Sequence, residues 1–196
     1  MTISPQPVPK ARKKFPIWLI LVLVGATLST LCVGALVVFM GLNALGSFAP
    51  AVFTASDNQS RVTAPGNWKD LPELHDDAEL HIGDDSDEVY LIVLTESRED
   101  LGEMPLDEYT DLVTASFSET IENAVFSEPR TMTINGMNAI QLDITGTVDD
   151  LNVVYTLTGV AGDANYFQLV GWTLADRIER NREVIEGTIA TFEQMP

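Results

Sequence analysis

The stretch that decides the fold spans residues 131–148 and reads TMTINGMNAIQLDITGTV. Asn135 and Gly136 stand between two runs in which apolar and polar residues alternate, and this dipeptide favours a two-residue turn with positive φ at both positions. The pattern is typical of two antiparallel strands joined by a tight hairpin. We therefore predict one strand over 131–134 and a longer strand over 137–148.

Further turn signals follow this hairpin toward the C-terminus. Acidic or glycine-containing turns at 149–150 and 162–163 separate two more apolar runs, 151–160 and 166–173. Consecutive strands joined by such short turns pair antiparallel with their neighbours. The sequence therefore predicts a meander of four strands.

Three more strands are predicted before the hairpin. Residues 61–63 form a short run that enters the turn Pro65-Gly66-Asn67-Trp68, and residues 78–82 alternate between apolar and polar. Residues 89–95 are apolar on both sides, as expected of a central strand that is covered on both faces. We expect Trp68 to anchor the core.

Two amphipathic helices complete the pattern. The first follows Pro105, and the second is predicted to begin at a capping box over 173–176. Their apolar positions recur at helical spacing: Tyr109, Val113, Phe117 and Ile121 in the first, and Ile178, Val184, Ile185, Ile189 and Phe192 in the second. The order of elements predicts an α+β domain, with an antiparallel sheet of about six or seven strands and helices on both faces.

The N-terminal part of the chain has a different composition. Residues 15–56 contain no charged residue, and 17–40 form a nearly continuous apolar run of 24 residues. At about 1.5 Å per residue, a helix of this length reaches about 36 Å and crosses a hydrocarbon core of about 30 Å. Four basic residues within 10–14 precede the run, and the positive-inside rule then places the N-terminus in the cytoplasm.

The chain is therefore expected to lie in the cell membrane as a single-pass protein with an extracytoplasmic C-terminal domain. Its expected parts are a basic cytoplasmic tail over 1–14, a transmembrane signal-anchor helix over 15–45, a flexible linker over 46–60 and the extracytoplasmic domain over 61–196.

Alternatives remain open for the apolar segment. It shares a basic start and an apolar run with cleaved signal peptides, and small residues at 49–51 would suit cleavage, although such peptides usually have a shorter run. Lipidation of Cys32 is disfavoured because Leu31 precedes it. Gly25 and Ser29 have the four-residue spacing that lets two helices approach in a homodimer, a spacing that also arises often by chance.

The charge balance excludes one class of function. The chain has 29 acidic and 11 basic residues and a formal net charge of −18, which argues against a nucleic-acid binder. Residues 57–196 hold all the acidic residues and only seven basic ones. The excess acid is explained either by adaptation to salty surroundings or by a face that recruits a basic partner.

The sequence offers little chemistry for catalysis. Its neutral-pH bases are His75 and His81, its only cysteine lies in the apolar run, and no G-x-S-x-G motif occurs. We therefore expect a protein that is not an enzyme, with no catalytic residue and no cofactor.

One acidic segment resembles a cation site only superficially. It contains His75, Asp76, Asp77, Glu79, His81, Asp84, Asp85, Asp87 and Glu88. An EF-hand loop beginning at Asp84 would need glycine where Val89 stands, and no third ligand for zinc joins the two histidines. We predict a solvated acidic turn and no metal site, with loose Ca²⁺ association as the remaining alternative.

Three motifs carry a resemblance to a known family. They are the turn Pro65-Gly66-Asn67-Trp68, the hairpin Ile134-Asn135-Gly136-Met137-Asn138-Ala139 and the closing helix that ends over 189–192. Together with the order of elements, residues 61–192 resemble the PsbP-like and DcrB-like group. The resemblance implies an α/β/α sandwich, exported or tethered to a membrane, that acts as a non-catalytic binding or assembly factor. The predicted transmembrane anchor departs from the cleaved leader of the chlorophyll-associated members, and no residue here carries over their photosystem binding.

The sequence thus predicts a membrane-anchored, extracytoplasmic PsbP-like domain that binds proteins or assembles a complex. Its expected partners are the membrane, through one helix, and another envelope protein, with no nucleic acid. The alternative is a module that binds a small ligand in a pocket at the sheet edge, or a cation at the turn 84–88.

Overall fold

The computed structural model describes residues 49–102 and 104–196. The predicted cytoplasmic tail and transmembrane helix lie outside these residues. Within them, no helix combines the length and the apolar composition needed to cross a membrane.

The described residues form two α-helices, eleven strands and two 3₁₀ turns. The helices are α1 (Leu106–Thr120) and α2 (Ile178–Ala190), and the 3₁₀ turns are Pro72–Leu74 and Ala175–Arg177. The strands are β1 (Ala51–Thr54), β2 (Ser60–Ala64), β3 (Lys69–Asp70), β4 (Leu80–Asp84), β5 (Val89–Ser97), β6 (Glu122–Phe126), β7 (Arg130–Ile134), β8 (Met137–Val148), β9 (Leu151–Ala161), β10 (Asn165–Leu174) and β11 (Glu193–Gln194).

The strands build two antiparallel sheets. The larger has eight strands in the order β3-β4-β5-β10-β9-β8-β6, with β7 pairing to the remaining part of β8 beside β6. The smaller has the order β1-β2-β11. The predicted meander is confirmed, because β7, β8, β9 and β10 pair with one another in sequence order.

Two turns of the meander adopt the left-handed backbone that their residues favour. Asn135 and Gly136 have φ of 47° and 86°, and Asp149 and Asp150 have φ of 49° and 65°. Short polar side chains and glycine tolerate this conformation at low cost, and two such residues in succession match the twist of antiparallel strands. The local turn chemistry therefore sets the register of these hairpins.

The structure contains strands that the sequence pattern did not predict. β6 follows α1 directly, and its pairing with β8 is interrupted by a bulge between Glu122 and Val125. β1 lies within the predicted linker over 46–60 and pairs with β2 along its whole length, so folded structure begins before Arg61. Both strands are short, so each carries little local signal of its own.

The predicted capping box at the start of the second helix is wrong. Thr173 belongs to β10, where its hydroxyl donates to the Glu88 carbonyl at 2.7 Å and accepts from the Asn181 amide at 2.8 Å. The helix begins only at Ile178, after a 3₁₀ turn, and its N-cap Arg177 makes no side-chain capping bond. Thr173 pairs within the sheet and forms long-range hydrogen bonds, so it does not cap the helix as the local pattern predicted.

Side chains of β5 alternate between two hydrophobic cores. Val89, Leu91 and Val93 belong to one core, and Ile92 belongs to the other. The first, here the α2-side core, includes Trp68, Phe167, Leu169, Ile185, Ile189 and Phe192. The second, the α1-side core, includes Tyr109, Val113, Ile121, Leu142, Ile144, Leu157, Tyr166 and Val170. This alternation follows from the two-residue period of a strand, whose successive side chains point to opposite faces.

Candidate functional site: an aromatic groove

Four aromatic side chains form a row that crosses three strands of the larger sheet and ends on α1. Trp172 of β10 lies opposite Tyr90 of β5 on one side and opposite Tyr155 of β9 on the other. The ring centroids of Tyr90 and Trp172 are 5.3 Å apart, and those of Trp172 and Tyr155 are 6.0 Å apart. Phe117 of α1 meets Tyr155 edge-on at 5.6 Å. These four residues are the aromatic row.

The aromatic row separates two cavities that share part of their lining. One has a volume of about 460 Å³, with walls from the end of α1 and from Leu74 and His75, and a floor that includes Ile92, Leu94 and Val170. The other has a volume of about 240 Å³ and is lined by Glu88, Tyr90, Asp149, Leu151, Val153 and Leu174. Val148, Tyr155 and Trp172 line both. We call the two cavities together the aromatic groove.

The groove exists because α1 covers only part of its side of the sheet. α1 packs on β6, β8 and β9. The lining of the larger cavity comes mainly from β5, β10 and the end of α1. Leu94 of β5 and Trp172 of β10 therefore remain partly accessible, whereas Ile92 and Val170 are buried at the bottom of the cavity.

Three polar side chains of the larger cavity already have hydrogen-bond partners. The Nδ1 atom of His75 accepts from the Asp77 amide at 3.2 Å, so the neutral ring carries its proton on Nε2. The hydroxyls of Ser116 and Thr120 donate to helix carbonyls at 2.7 Å. Apolar surface consequently dominates what this cavity offers to an occupant.

The rim of the groove is acidic. Glu88 and Asp149 line the smaller cavity, and none of its lining residues described by the structure is a lysine or arginine. Glu88 is partly neutralised by Arg177 at 2.9 Å, whereas Asp85 and Asp149 form no ion pair among residues 49–102 and 104–196. The net field at this end of the groove favours positive charge.

The tyrosines of the row stay neutral at physiological pH. Burial, and after it the nearby carboxylate of Asp85, raise the pKa of Tyr90. Burial also raises the pKa of Tyr155. Both phenols therefore keep their protons, and the Tyr90 hydroxyl donates to the Asp85 carboxylate.

The histidines and carboxylates of the acidic segment have different partners and do not converge on one point. The Nδ1 atom of His81 contacts Asp70 Oδ1 at 2.6 Å, while Glu79 accepts from the Thr95 amide at 2.8 Å. His75 instead lines the groove. Within the part of the chain that the structure describes, no three His, Cys, Asp or Glu side chains could share a metal ion.

The turn 84–88 is tied to the start of α2. Asp87 contacts Arg180 at 3.1 Å, and Glu88 contacts Arg177 at 2.9 Å. The Asn181 amide donates to the Asp87 carbonyl at 3.0 Å. Part of the acidic turn that the sequence predicted to be solvated therefore holds a helix in place.

The aromatic row was missed at the sequence level. Phe117 was assigned to the apolar side of a helix, and the strands bearing Tyr90, Tyr155 and Trp172 were assigned to the sheet without singling out these residues. The available signal is the 162–163 turn, because a short hairpin fixes which residues oppose each other, and here it places Tyr155 opposite Trp172. No comparable local signal pairs Tyr90 with Trp172.

Two solved structures show which fold this arrangement belongs to. One is cyanobacterial PsbP (CyanoP) from Synechocystis sp. PCC 6803, with 12% identity, a TM-score of 0.54 and coverage of 76% of this chain and 94% of that chain. The other is LpqN of Mycobacterium tuberculosis, described as involved in cell envelope biogenesis, with 14% identity, a TM-score of 0.55 and coverage of 76% and 85%. The domain has a PsbP-like fold.

A third structure extends the range of proteins that share this PsbP-like fold. It is PA94 of Pseudomonas aeruginosa, a protein of unknown function described as a putative regulator, with 10% identity, a TM-score of 0.50 and coverage of 75% of this chain and 98% of that chain. No family model matches the chain, and no curated protein sequence matches it. At these identities the similarity establishes the fold, and function must be argued from the groove.

Proposed function

We propose that the PsbP-like domain is a non-catalytic protein-binding domain displayed at the outer face of the cell membrane, where another envelope protein enters the aromatic groove. The observation that carries this proposal is the accessible row of Tyr90, Trp172 and Tyr155 beside α1. Tyrosine and tryptophan are enriched among the residues that dominate binding energy at protein interfaces. An apolar groove with a charged rim has the anatomy of such an interface.

Display at the membrane is supported by the sequence. The apolar run over 17–40 is long enough to span a bilayer, and Lys10, Arg12, Lys13 and Lys14 precede it. LpqN is described as involved in cell envelope biogenesis, which agrees with an envelope setting. The N-terminus is then cytoplasmic and the groove is extracytoplasmic.

An α/β/α arrangement would make the groove a gap in one outer layer. Its support is that α1 and α2 contribute to different cores, while neighbouring residues of β5 alternate between those cores. In this arrangement the groove faces away from α2. A partner can then bind without disturbing the layer formed by α2.

A binding role agrees better with the groove than a catalytic one. His75 is the histidine that lines the larger cavity, and its Nδ1 atom already accepts a hydrogen bond from the Asp77 backbone amide. The nearby hydroxyls of Ser116 and Thr120 donate to their own helix, so neither is activated by the histidine.

Site-specific photo-crosslinking in the native membrane tests the proposal. A photoreactive residue replaces Leu151, which is 54% exposed on the groove lining, in the full-length chain. The control replaces Val125, which is 64% exposed and alternates along β6 with Ala124 and Phe126 of the α1 side. We expect one reproducible protein adduct from position 151 and none from position 125. Equal labelling from both positions, or no protein adduct, would contradict the proposal.

Membrane orientation is tested separately. In a Cys32→Ser background, Val52→Cys introduces one exposed thiol on β1. We expect a membrane-impermeant maleimide to label intact cells, and neutralisation of the four basic residues within 10–14 to reduce that labelling. Labelling that appears only after lysis would contradict the orientation.

A small-ligand module is the second candidate. Its supporting observation is that His75, Ser116, Thr120 and Gln168 line the same cavity of about 460 Å³. Native mass spectrometry of the full-length protein released from its membrane tests this candidate. A retained small molecule that is lost in Gln168→Leu would favour it over a protein partner. A cation at the turn 84–88 is less favoured, because Asp87 and Glu88 already pair with arginines.

A further inference from the structure

From the position of the groove in the sheet, we infer that its occupant is an amphipathic helix of the partner protein, with an apolar face on the aromatic row and Lys or Arg along its flanks. This inference rests on the proposed function and specifies the chemistry of the partner. It follows from the strand order, the dimensions of the groove and the charge of its rim.

The strand order argues for a helix. The groove floor lies on β5, β10 and β9, each of which is paired to a neighbour on both sides. An extended peptide lying on this floor would find no free strand edge, and its backbone amides would lose water without gaining partners. A helix satisfies its own backbone groups and presents only side chains to the floor.

The dimensions agree with one helix beside α1. Residues 168, 170, 172 and 174 of β10 line the groove, and at about 3.3 Å per residue they span about 20 Å. A helix of about 13 residues has that length. The distance from β5 across β10 to β9 is about 10 Å, which is close to the diameter of a helix.

The rim determines the charge of the helix. Asp85, Asp149 and Asp150 are exposed and form no ion pair among the residues that the structure describes. Asp85 lies beside Tyr90 at one end of the aromatic row, and Asp149 lines the smaller cavity. Lys or Arg side chains would meet these carboxylates and the electron-rich ring faces, whereas an acidic helix or an anionic lipid headgroup would be repelled.

Designed peptides test this inference on the full-length protein in phosphatidylcholine nanodiscs, with empty nanodiscs as the blank. The first probe places Leu and Lys at helical spacing, the second has the same composition in strict alternation, and the third replaces Lys by Glu at helical spacing. Fluorescence anisotropy measures the dissociation constants. We expect the first probe to bind at least about tenfold more tightly than either other probe.

Variants locate that preference in the groove. Trp172→Ala leaves the net charge unchanged and is expected to weaken binding of the first probe by about tenfold or more. Leu151→Ser alters an exposed lining residue and serves as the groove variant if Trp172→Ala does not fold. Asp85→Asn with Asp149→Asn is expected to weaken binding by a few-fold and to flatten its salt dependence. Val125→Ser, on the other side of β6, is expected to change nothing.

The outcomes separate this inference from the proposed function. Equal binding of the alternating or acidic peptide, or an unchanged affinity in both Trp172→Ala and Leu151→Ser, would overturn the inference. Mapping the partner segment that crosslinks to position 151 gives a second criterion. A basic amphipathic segment supports the inference. An acidic or extended segment refutes the inference but leaves the protein-binding role intact. A crosslink to lipid alone would contradict both the proposed protein-binding role and the inferred helical partner.

Discussion

The two sides of the larger sheet use similar residues for different purposes. On the α2 side, Trp68, Phe167 and Phe192 are almost completely inaccessible. On the α1 side, the aromatic side chains of Tyr90, Tyr155 and Trp172 remain partly accessible and line cavities. Aromatic residues alone therefore do not mark a core or a site, because the cover over the sheet decides which one they form.

The α2-side core also includes residues of the small sheet. Val62 and Ala64 of the small sheet join the same core as α2, and Phe192 follows that helix into it. The α1 side has one helix and a short 3₁₀ segment near the groove. We expect the first region to determine stability and the second to determine binding.

The largest loss of stability is expected from truncating a side chain of the α2-side core. Phe192→Ala removes a fully buried ring that packs 5.0 Å from Phe167, centroid to centroid, and should lower the free energy of unfolding by about 3–5 kcal/mol. Urea unfolding of the full-length protein measures the loss. Leu151→Ala in the groove is the control, with a change within about 0.5 kcal/mol. A loss below about 1 kcal/mol for Phe192→Ala would contradict the expectation that the α2-side core determines stability.

Two glycines of the larger sheet show how closely each helix approaches it. A Cβ at Gly171 would lie 2.4 Å from Ile185 Cγ2 of α2, whereas a Cβ at Gly159 would lie 3.0 Å from Thr110 Oγ1 of α1. Gly171→Ala should destabilise the protein by about 1–3 kcal/mol, and Gly159→Ala should cost less. Melting temperatures of the two variants provide the test, and the reverse order would show that α1 is the more tightly packed helix.

Within the aromatic row, a smaller effect is expected. Trp172→Leu should cost about 1–2 kcal/mol, because its ring is only partly buried, and should retain most of the native stability. A double-mutant cycle with Tyr90→Leu should give a coupling of about 0.5–1.5 kcal/mol from the stacked pair. If Trp172→Leu costs as much as Phe192→Ala, the row is a core and the groove loses its role as a site.

The smallest effect is expected at Glu79, which belongs to neither core. Burial raises its pKa above the ordinary 4.5. The folded state therefore holds this proton more tightly than the unfolded state, and the resulting stabilisation is present at low pH and lost as the pH rises through the raised pKa.

Glu79→Gln removes this titration while keeping an oxygen that can accept from the Thr95 amide. We expect the variant to be more stable than the wild type at pH 7, by no more than about 0.5 kcal/mol, and the advantage to disappear near pH 4. Unfolding measured at the two pH values checks this expectation. If the stability advantage of the variant grew toward low pH, folding would lower the pKa of Glu79 rather than raise it.

Local chemistry explains which elements were predicted correctly. The turn at 135–136 and the acidic turn at 149–150 require few residues to form, and their positive φ values follow from asparagine, glycine and aspartate. The alternation in β8, the apolar run of β9 and the helical spacing of α1 follow from the same short-range rules. Strands β1, β3, β6 and β11 are short, and their runs carried little pattern of their own.

The sequence by itself determined the meander, the two amphipathic helices and the resemblance to PsbP-like domains, because turn residues and periodicity act over a few neighbouring positions. Only the tertiary structure decided that Tyr90 stands beside Trp172, that Arg177 and Arg180 bind the acidic turn and that α1 leaves part of the sheet uncovered. Each of these depends on the register and placement of elements far apart in sequence. The groove is a property of that placement, since the same side chains under a complete helical layer would form an ordinary core.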